Sequence, residues 1–314
     1  MCGRYASARK RAELLAEFRV ERDRVTESLQ PDYNVAPTKP VYAVLERGPR
    51  GSGGPGGPGG PRGPGGPRGS GGSGGSGDGS AARKAGGSGS GDGGPGSGDG
   101  GPGDGAAAGR GAAAEHAEPA ARELRVVRWG LVPSWAKEAS IGSRLINARV
   151  ETVDSKPSFR RAFTRRRCLL PADGFYEWIS VPGPPKARKQ PYYIHRADGE
   201  GLAFAGLYEL WRDHSYPDDH PGAWLWTAVI ITTRAEDEIG HIHDRMPMVI
   251  APDQWPEWLD PANNDPSDVR ALLAPAVAGG LTSYPVSMAV NSVRNNGPRL
   301  IEPEPSSTAT GGSL

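Results

Sequence analysis

Cysteine is scarce, with only Cys2 and Cys168 among 314 residues. Two cysteines, one of them beside the initiator methionine, do not make a disulfide framework, and a reduced compartment suits them better. Net charge is nearly absent, at +1. No apolar run approaches the ~20 residues a membrane-spanning helix requires. No charged-then-apolar leader precedes Cys2, so the expectation is a cytoplasmic protein that loses only Met1.

Aromatic residues are missing altogether from Gly48 to Arg122. That stretch is almost entirely Gly, Pro, Ser, Ala and Asp, with repeats such as Gly-Gly-Pro, and has too little to bury to offset the entropy of ordering. Residues 48–122 are therefore expected to be a disordered insertion. Loop closure grows only slowly more costly with length, so two strands can tolerate it between them. The insertion holds seven Lys/Arg and six Asp/Glu, which leaves 30 basic and 30 acidic residues in the other 239. A domain of zero formal charge is no general polyanion binder, so nucleic-acid contact would have to rest on local clusters.

The rest carries short apolar runs broken by turns. Ser7 to Val20 has Leu14, Leu15 and Phe18 among charged residues, which predicts an amphipathic helix capped by Ser7. Pro31 to Thr38 is expected to be a loop. Strands are expected at Val41–Leu45, Leu124–Trp129, Cys168–Pro171, Phe175–Ser180, Tyr192–His195, Leu202–Leu210, Trp224–Thr233, Met246–Ala251 and Ser283–Met288. Short helices are expected at Asp253–Leu259 and Ser267–Leu273. Strands joined by turns make the class α+β, on a mainly antiparallel, barrel-like sheet with short flanking helices. One domain is expected over 1–47 and 123–303, with a flexible tail at 304–314.

The terminus carries chemistry. With Met1 removed, Cys2 presents an amine and a thiol on adjacent carbons, with unperturbed pKa values near ~8 and ~8.5, so both have reactive fractions at neutral pH. An aldehyde can form an imine with the amine, and the thiol can close on the imine carbon to a five-membered thiazolidine. That closure is intramolecular and gains a large effective concentration. Equally, Cys2 could be only a small residue that favours methionine removal.

Other polar clusters stand at turns: Asn147-Ala148-Arg149 with Glu151, Gly174-Phe175-Tyr176-Glu177-Trp178, and His241-Ile242-His243-Asp244-Arg245. By strand alternation Glu177 could face solvent. Lodged among its aromatics it would instead be desolvated, with a raised pKa suited to acid–base work. His243 is a core histidine or a proton carrier. His241-x-His243 with Cys168 does not match zinc spacing, so no metal and no cofactor is expected. The run Arg160–Arg167 is either a solvated face or a phosphate contact.

Met-Cys-Gly-Arg, Tyr33-Asn34-Val35-Ala36-Pro37, Trp129-Gly130-Leu131-Val132-Pro133, Asn147-Ala148-Arg149-x-Glu151, Gly174–Trp178 and His243–Pro247 occur in this order. Together they resemble the SOS-response-associated peptidase (SRAP) family, the abasic-site processing proteins. The resemblance implies covalent capture of abasic sites in single-stranded DNA by a monomer, cytoplasmic and nucleoid-associated when bound. It implies Cys2 as the attacking residue and Asn147 holding the sugar and the reacting terminus. It further implies Glu177 orienting the amine or shuttling its proton, and His243 as general acid–base on the opened sugar. Arg4, Arg149 and Arg245 would grip phosphates, Asn34 and Pro37 would lie against the DNA, and Trp135 would contact it. Self-removal of Met1 is implied as well.

Two other classes fit parts of the pattern. N-terminal-nucleophile glutamine amidotransferases also begin Met-Cys-Gly, but their chemistry requires no phosphate-gripping arginines. A non-catalytic single-strand-binding module would use Trp135 and the arginines without forming an adduct.

Overall fold

The computed structural model describes residues 2–47, 120–183, 187–217, 219–235, 237–273 and 280–305, save the side chains of 237 and 238. Met1, most of the expected insertion and the end of the expected tail lie outside them. The described residues belong to one compact unit. Its first strands are β1 (Tyr5–Ser7), β2 (Arg22–Asp23), β3 (Asp32–Val35), β4 (Pro40–Arg47), β5 (Ala121–Trp129) and β6 (Asn147–Arg149). There follow β7 (Arg167–Ala172), β8 (Gly174–Val181), β9 (Arg188–Arg196), β10 (Leu202–Arg212), β11 (Trp224–Arg234), β12 (Arg245–Pro247) and β13 (Leu281–Pro285). The helices are α1 (Arg11–Glu17), α2 (Arg160–Arg165), α3 (Asp237–Gly240), α4 (Trp255–Leu259) and α5 (Pro266–Ala271).

Strands β11, β10, β7, β4 and β5 pair in that order, and β5 pairs back onto β11 through Thr227↔Arg128 and Ala228↔Trp129. This closes a five-stranded barrel. The closing rungs are parallel, as are those of β6 and β2, while the other named pairings are antiparallel. Closure removes two exposed edges that would otherwise invite pairing with other chains. A second, five-stranded sheet runs β13-β9-β8-β1-β3.

Strict alternation along the barrel strands sorts side chains into two cores. Val41, Ala43 and Leu45 of β4, with Phe204 and Tyr208 of β10, join Cys2, Tyr5, Phe175 and Ile194 in one cluster. Tyr42 and Val44, with Ala203, Ala205 and Leu207, join Leu14, Phe18, Phe163 and Trp258 from the helices in the other. The first core thus fastens the N-terminus to the barrel, and the second covers it with helices.

Three local expectations are corrected. Ser7 does not cap a helix, because it is the last residue of β1 and pairs with Asp32. The helix starts at Arg11, where the Glu13 carboxylate accepts the Lys10 N–H at 3.2 Å. The expected loop at Pro31–Thr38 contains strand β3, whose partner is β1. Strand β5 begins at Ala121, so the last two residues assigned to the insertion lie in a strand.

Gly130 carries a turn that no other residue fits. Its φ is +122°, and a Cβ there would stand 2.5 Å from the Gly142 carbonyl oxygen. The two glycines let the segment after β5 lie flat until it enters β6. Gly130→Ala is expected to destabilise by about 1–3 kcal/mol from the backbone conformation alone. A lowered urea midpoint with an unchanged slope would report this.

Candidate functional site

The N-terminal segment is sewn to β8. Tyr176 N–H donates to the Arg4 carbonyl at 3.0 Å, and Tyr5 pairs with Phe175. Cys2 is thereby buried with 0% exposure, its Sγ 3.8 Å from the Arg4 carbonyl oxygen. Burial pushes the Cys2 thiol pKa well up, and the Glu177 carboxylate adds to the effect. The resting sulfur is therefore a thiol, and closure onto an imine requires a group to take its proton.

Asn147 reaches Cys2 from the other side. Parallel pairing with β11 sets Asn147 opposite Ile230, and the Trp129 indole N–H holds the preceding carbonyl, that of Ile146, at 3.0 Å. Asn147 Nδ2 then donates to the Cys2 carbonyl at 2.7 Å. Its Oδ1 is buried with no hydrogen-bond partner among the described residues. A buried amide oxygen left so is a ready acceptor for a hydroxyl or amine.

Glu177 stands on β8 opposite Tyr192 and is buried, not solvent-facing. Burial raises its carboxyl pKa, and the charge of His243 pulls it back. The desolvated alternative of the two sequence readings is the one observed. His243 follows α3, and its Nδ1 accepts the Arg245 N–H at 2.9 Å. That bond requires a lone pair on Nδ1, so the neutral ring carries its proton on Nε2. Asp244 Oδ1 also lies 2.9 Å from Nδ1, where it can receive the second proton of an imidazolium.

Arg4, Glu177, Trp178, Lys189, His243 and Asn291 line one open cleft of about 580 Å³. Arg4 is half-buried, and burial lowers its pKa. Its Nη1 donates to Asn34 Oδ1 at 2.6 Å and to the Val290 carbonyl at 2.9 Å, with the guanidinium 5.8 Å from the centre of the Trp178 ring.

The other sequence-picked residues are dispersed. Asn34 is fully buried and offers no surface to a ligand, since its Nδ2 donates to the carbonyls of Val290, Ser292 and Asn295. Pro37 is half-buried beside Thr38, whose N–H donates to the Trp129 carbonyl and whose φ is +73°. This strained turn stands at the barrel end that carries Ile146 and Asn147. Trp135 is 60% exposed outside the cleft lining. Arg149 is exposed, while Arg245 grips Glu151 through both carboxylate oxygens, at 2.5 and 3.0 Å, and the Thr232 carbonyl at 2.7 Å. That grip lowers the Glu151 pKa.

Lys189 and Asn291 were not singled out in the sequence. Asn291 accepts the Trp178 indole N–H at 2.6 Å and donates to the Lys189 carbonyl at 3.3 Å. Its one sequence signal is a cluster of three asparagines, Asn291, Asn295 and Asn296. Of the Arg160–Arg167 run, Arg160, Arg161 and Arg165 are exposed, whereas Arg166 pairs with Glu209. Arg167 is buried on five backbone carbonyls, and burial brings its pKa down to about 10.

The family described as SOS response associated peptidase (SRAP) matches residues 1–293. The chain belongs to the SRAP family. An SRAP relative, abasic site processing protein YoqW of Bacillus subtilis (strain 168), is 46% identical over 179 residues, covering 57% of this chain and 76% of that one. Abasic site processing protein HMCES of Gallus gallus is 34% identical over 212 residues, covering 60% of each chain. A crystal structure of a Bordetella bronchiseptica protein superposes with a TM-score of 0.53 at 20% identity, covering 91% of this chain and all of that one. That likeness is one of fold. Among the described residues no helix is long and apolar enough to cross a membrane, and no three His, Cys, Asp or Glu side chains gather as a metal site.

Proposed function

We propose that this SRAP protein processes abasic sites in single-stranded DNA by covalent capture at Cys2. What carries the reading is the grip of Asn147 on the Cys2 carbonyl, with the Glu177 carboxylate acting on the Cys2 thiol and lining one open cleft with His243. The names of the curated relatives support the substrate.

The ring-opened sugar presents an aldehyde at C1′. Once Met1 has been removed, the Cys2 amine adds to C1′ and water leaves, giving the imine. Sγ then bonds to C1′ as the C=N π pair moves to nitrogen, and the thiol proton ends on that nitrogen. Glu177 is the group that relays it, since burial raises its pKa and makes its carboxylate a stronger proton acceptor than a solvated one. His243, with its proton on Nε2, donates to the sugar oxygen released on ring opening. An open imine would promote β-elimination and strand cleavage, and the thiazolidine removes it. The direct test is a denaturing gel and intact mass after incubation with abasic or intact single-stranded oligonucleotides. A covalent adduct on the abasic strand alone is expected, and its absence would refute the reading.

The arginines are expected to differ in how they bind phosphate. Glu151 already offsets the charge of Arg245, whereas Arg149 is exposed. Arg149→Ala should flatten the salt dependence of single-strand binding by about 0.7 in log–log slope. Arg245→Ala should flatten it less. Fluorescence anisotropy across salt concentrations measures both, and equal slopes for the two variants would contradict this division.

A further inference from the structure

The segment from Met288 to Asn296 is anchored with unusual thoroughness for a surface loop. Asn34 holds three of its carbonyls from within the core, and Arg4 holds Val290. Trp178 holds Asn291, and the Tyr33 N–H donates to Asn296 Oδ1 at 2.8 Å. Asn295 Nδ2 closes the loop on the Ala289 carbonyl at 2.8 Å. Yet this fixed loop exposes Met288 and Val293, two of the five large hydrophobic residues exposed among the described residues. A rigid apolar tip gains nothing from folding, and a fixed position suits contact with a partner.

Two further observations identify the partner. Asn291 belongs to the cleft lining, so the tip stands at the rim of the site itself. From Val286 to Ile301 there is no carboxylate, while Arg294 and Arg299 are both exposed, with no ion pair among the described residues. An apolar contact beside an uncompensated guanidinium matches a nucleotide, which offers a base face and a phosphate a few ångströms apart. We propose that residues 288–294 form a lip that seats the nucleotide adjacent to the abasic site. Val293 and Met288 bear on its base, and Arg294 bears on its phosphate. This rests on the reading of abasic-site capture given above.

A lip on one rim acts on one flank of the lesion only, and the test uses that asymmetry. Crosslinking rates are measured against DNA concentration for the full chain, for V293S and for R294A. Three single-stranded substrates are compared: an internal abasic site, one with no nucleotide 5′ to it, and one with none 3′ to it. On the internal site each variant should need roughly five-fold more DNA for half-saturation, with the same maximal rate. V293I should behave as wild type. The deficit should vanish when one flank is removed and persist when the other is. A deficit independent of flank, or no deficit at all, would overturn the lip while leaving capture at Cys2 intact. Failure of the wild type to form any adduct would instead remove the parent reading, and the lip with it.

Discussion

Cys2→Ser protein is expected to lose the stable adduct while still reacting with abasic single-stranded DNA. The substitution keeps the amine, and Asn147 grips a backbone carbonyl that serine also provides, so the terminus stays in place. The imine forms, but a hydroxyl closes on it poorly. The product should be labile, trappable by borohydride, and accompanied by more strand cleavage through elimination. Retaining Met1, or adding an N-terminal tag, should abolish the thiazolidine, because the Cys2 nitrogen is then an amide and no amine adjoins the thiol. Cys168→Ser should leave the adduct unchanged, for that thiol is buried, has no adjacent amine, and is pushed further from thiolate by burial. The amidotransferase alternative makes opposite forecasts: glutaminase activity lost in Cys2→Ser, and no DNA adduct from the wild type. A stable adduct from protein still carrying Met1 would sink the thiazolidine mechanism.

The sequence disclosed the site where its chemistry is local. Glu177 between Tyr176 and Trp178 offered a solvent-facing reading and a desolvated one, and its burial, which raises its pKa, selects the second. What could not be read were polar side chains whose partners lie far along the chain. Asn34 looks like a surface loop residue, yet it is fully buried with its partners at 290–295. Arg167 looks like one cation in a solvated run, yet it ties down carbonyls as distant as Trp258 and Asn263. No periodicity announces either, since a buried polar group is set by whichever backbone carbonyls the fold brings to it. Ser7 failed for a related reason. Its capping chemistry is real, but pairing with β3 claimed the residue first. The barrel-like sheet was legible, but the two parallel rungs between β5 and β11 that close it were not.

The second large effect is expected at Glu177. Glu177→Gln is nearly isosteric but cannot exchange protons, so it should slow thiazolidine formation by roughly 10²–10⁴-fold, the usual worth of a positioned acid–base group. Imine formation, followed by borohydride trapping, should slow less, which would assign the carboxyl to ring closure. The pH dependence follows from the direction of the shift. Burial raises the folded-state pKa of Glu177 above its unfolded value, so the folded protein holds this proton more tightly. As a proton acceptor the group becomes competent only as pH rises through that raised value. The wild-type rate should therefore fall on the acid side, and the Gln variant should lose that limb. Stability runs the other way. The contribution of the protonated carboxyl is fully present below the unfolded pKa, near ~4.3, and is lost as pH rises through the folded one. The Gln variant has no such loss, so its unfolding midpoint should gain on the wild type as pH rises above the unfolded pKa and through the raised folded one. Rates and midpoints measured on the same preparations decide the matter together. Parallel pH profiles for the two proteins in both measurements would show that Glu177 moves no proton in this site.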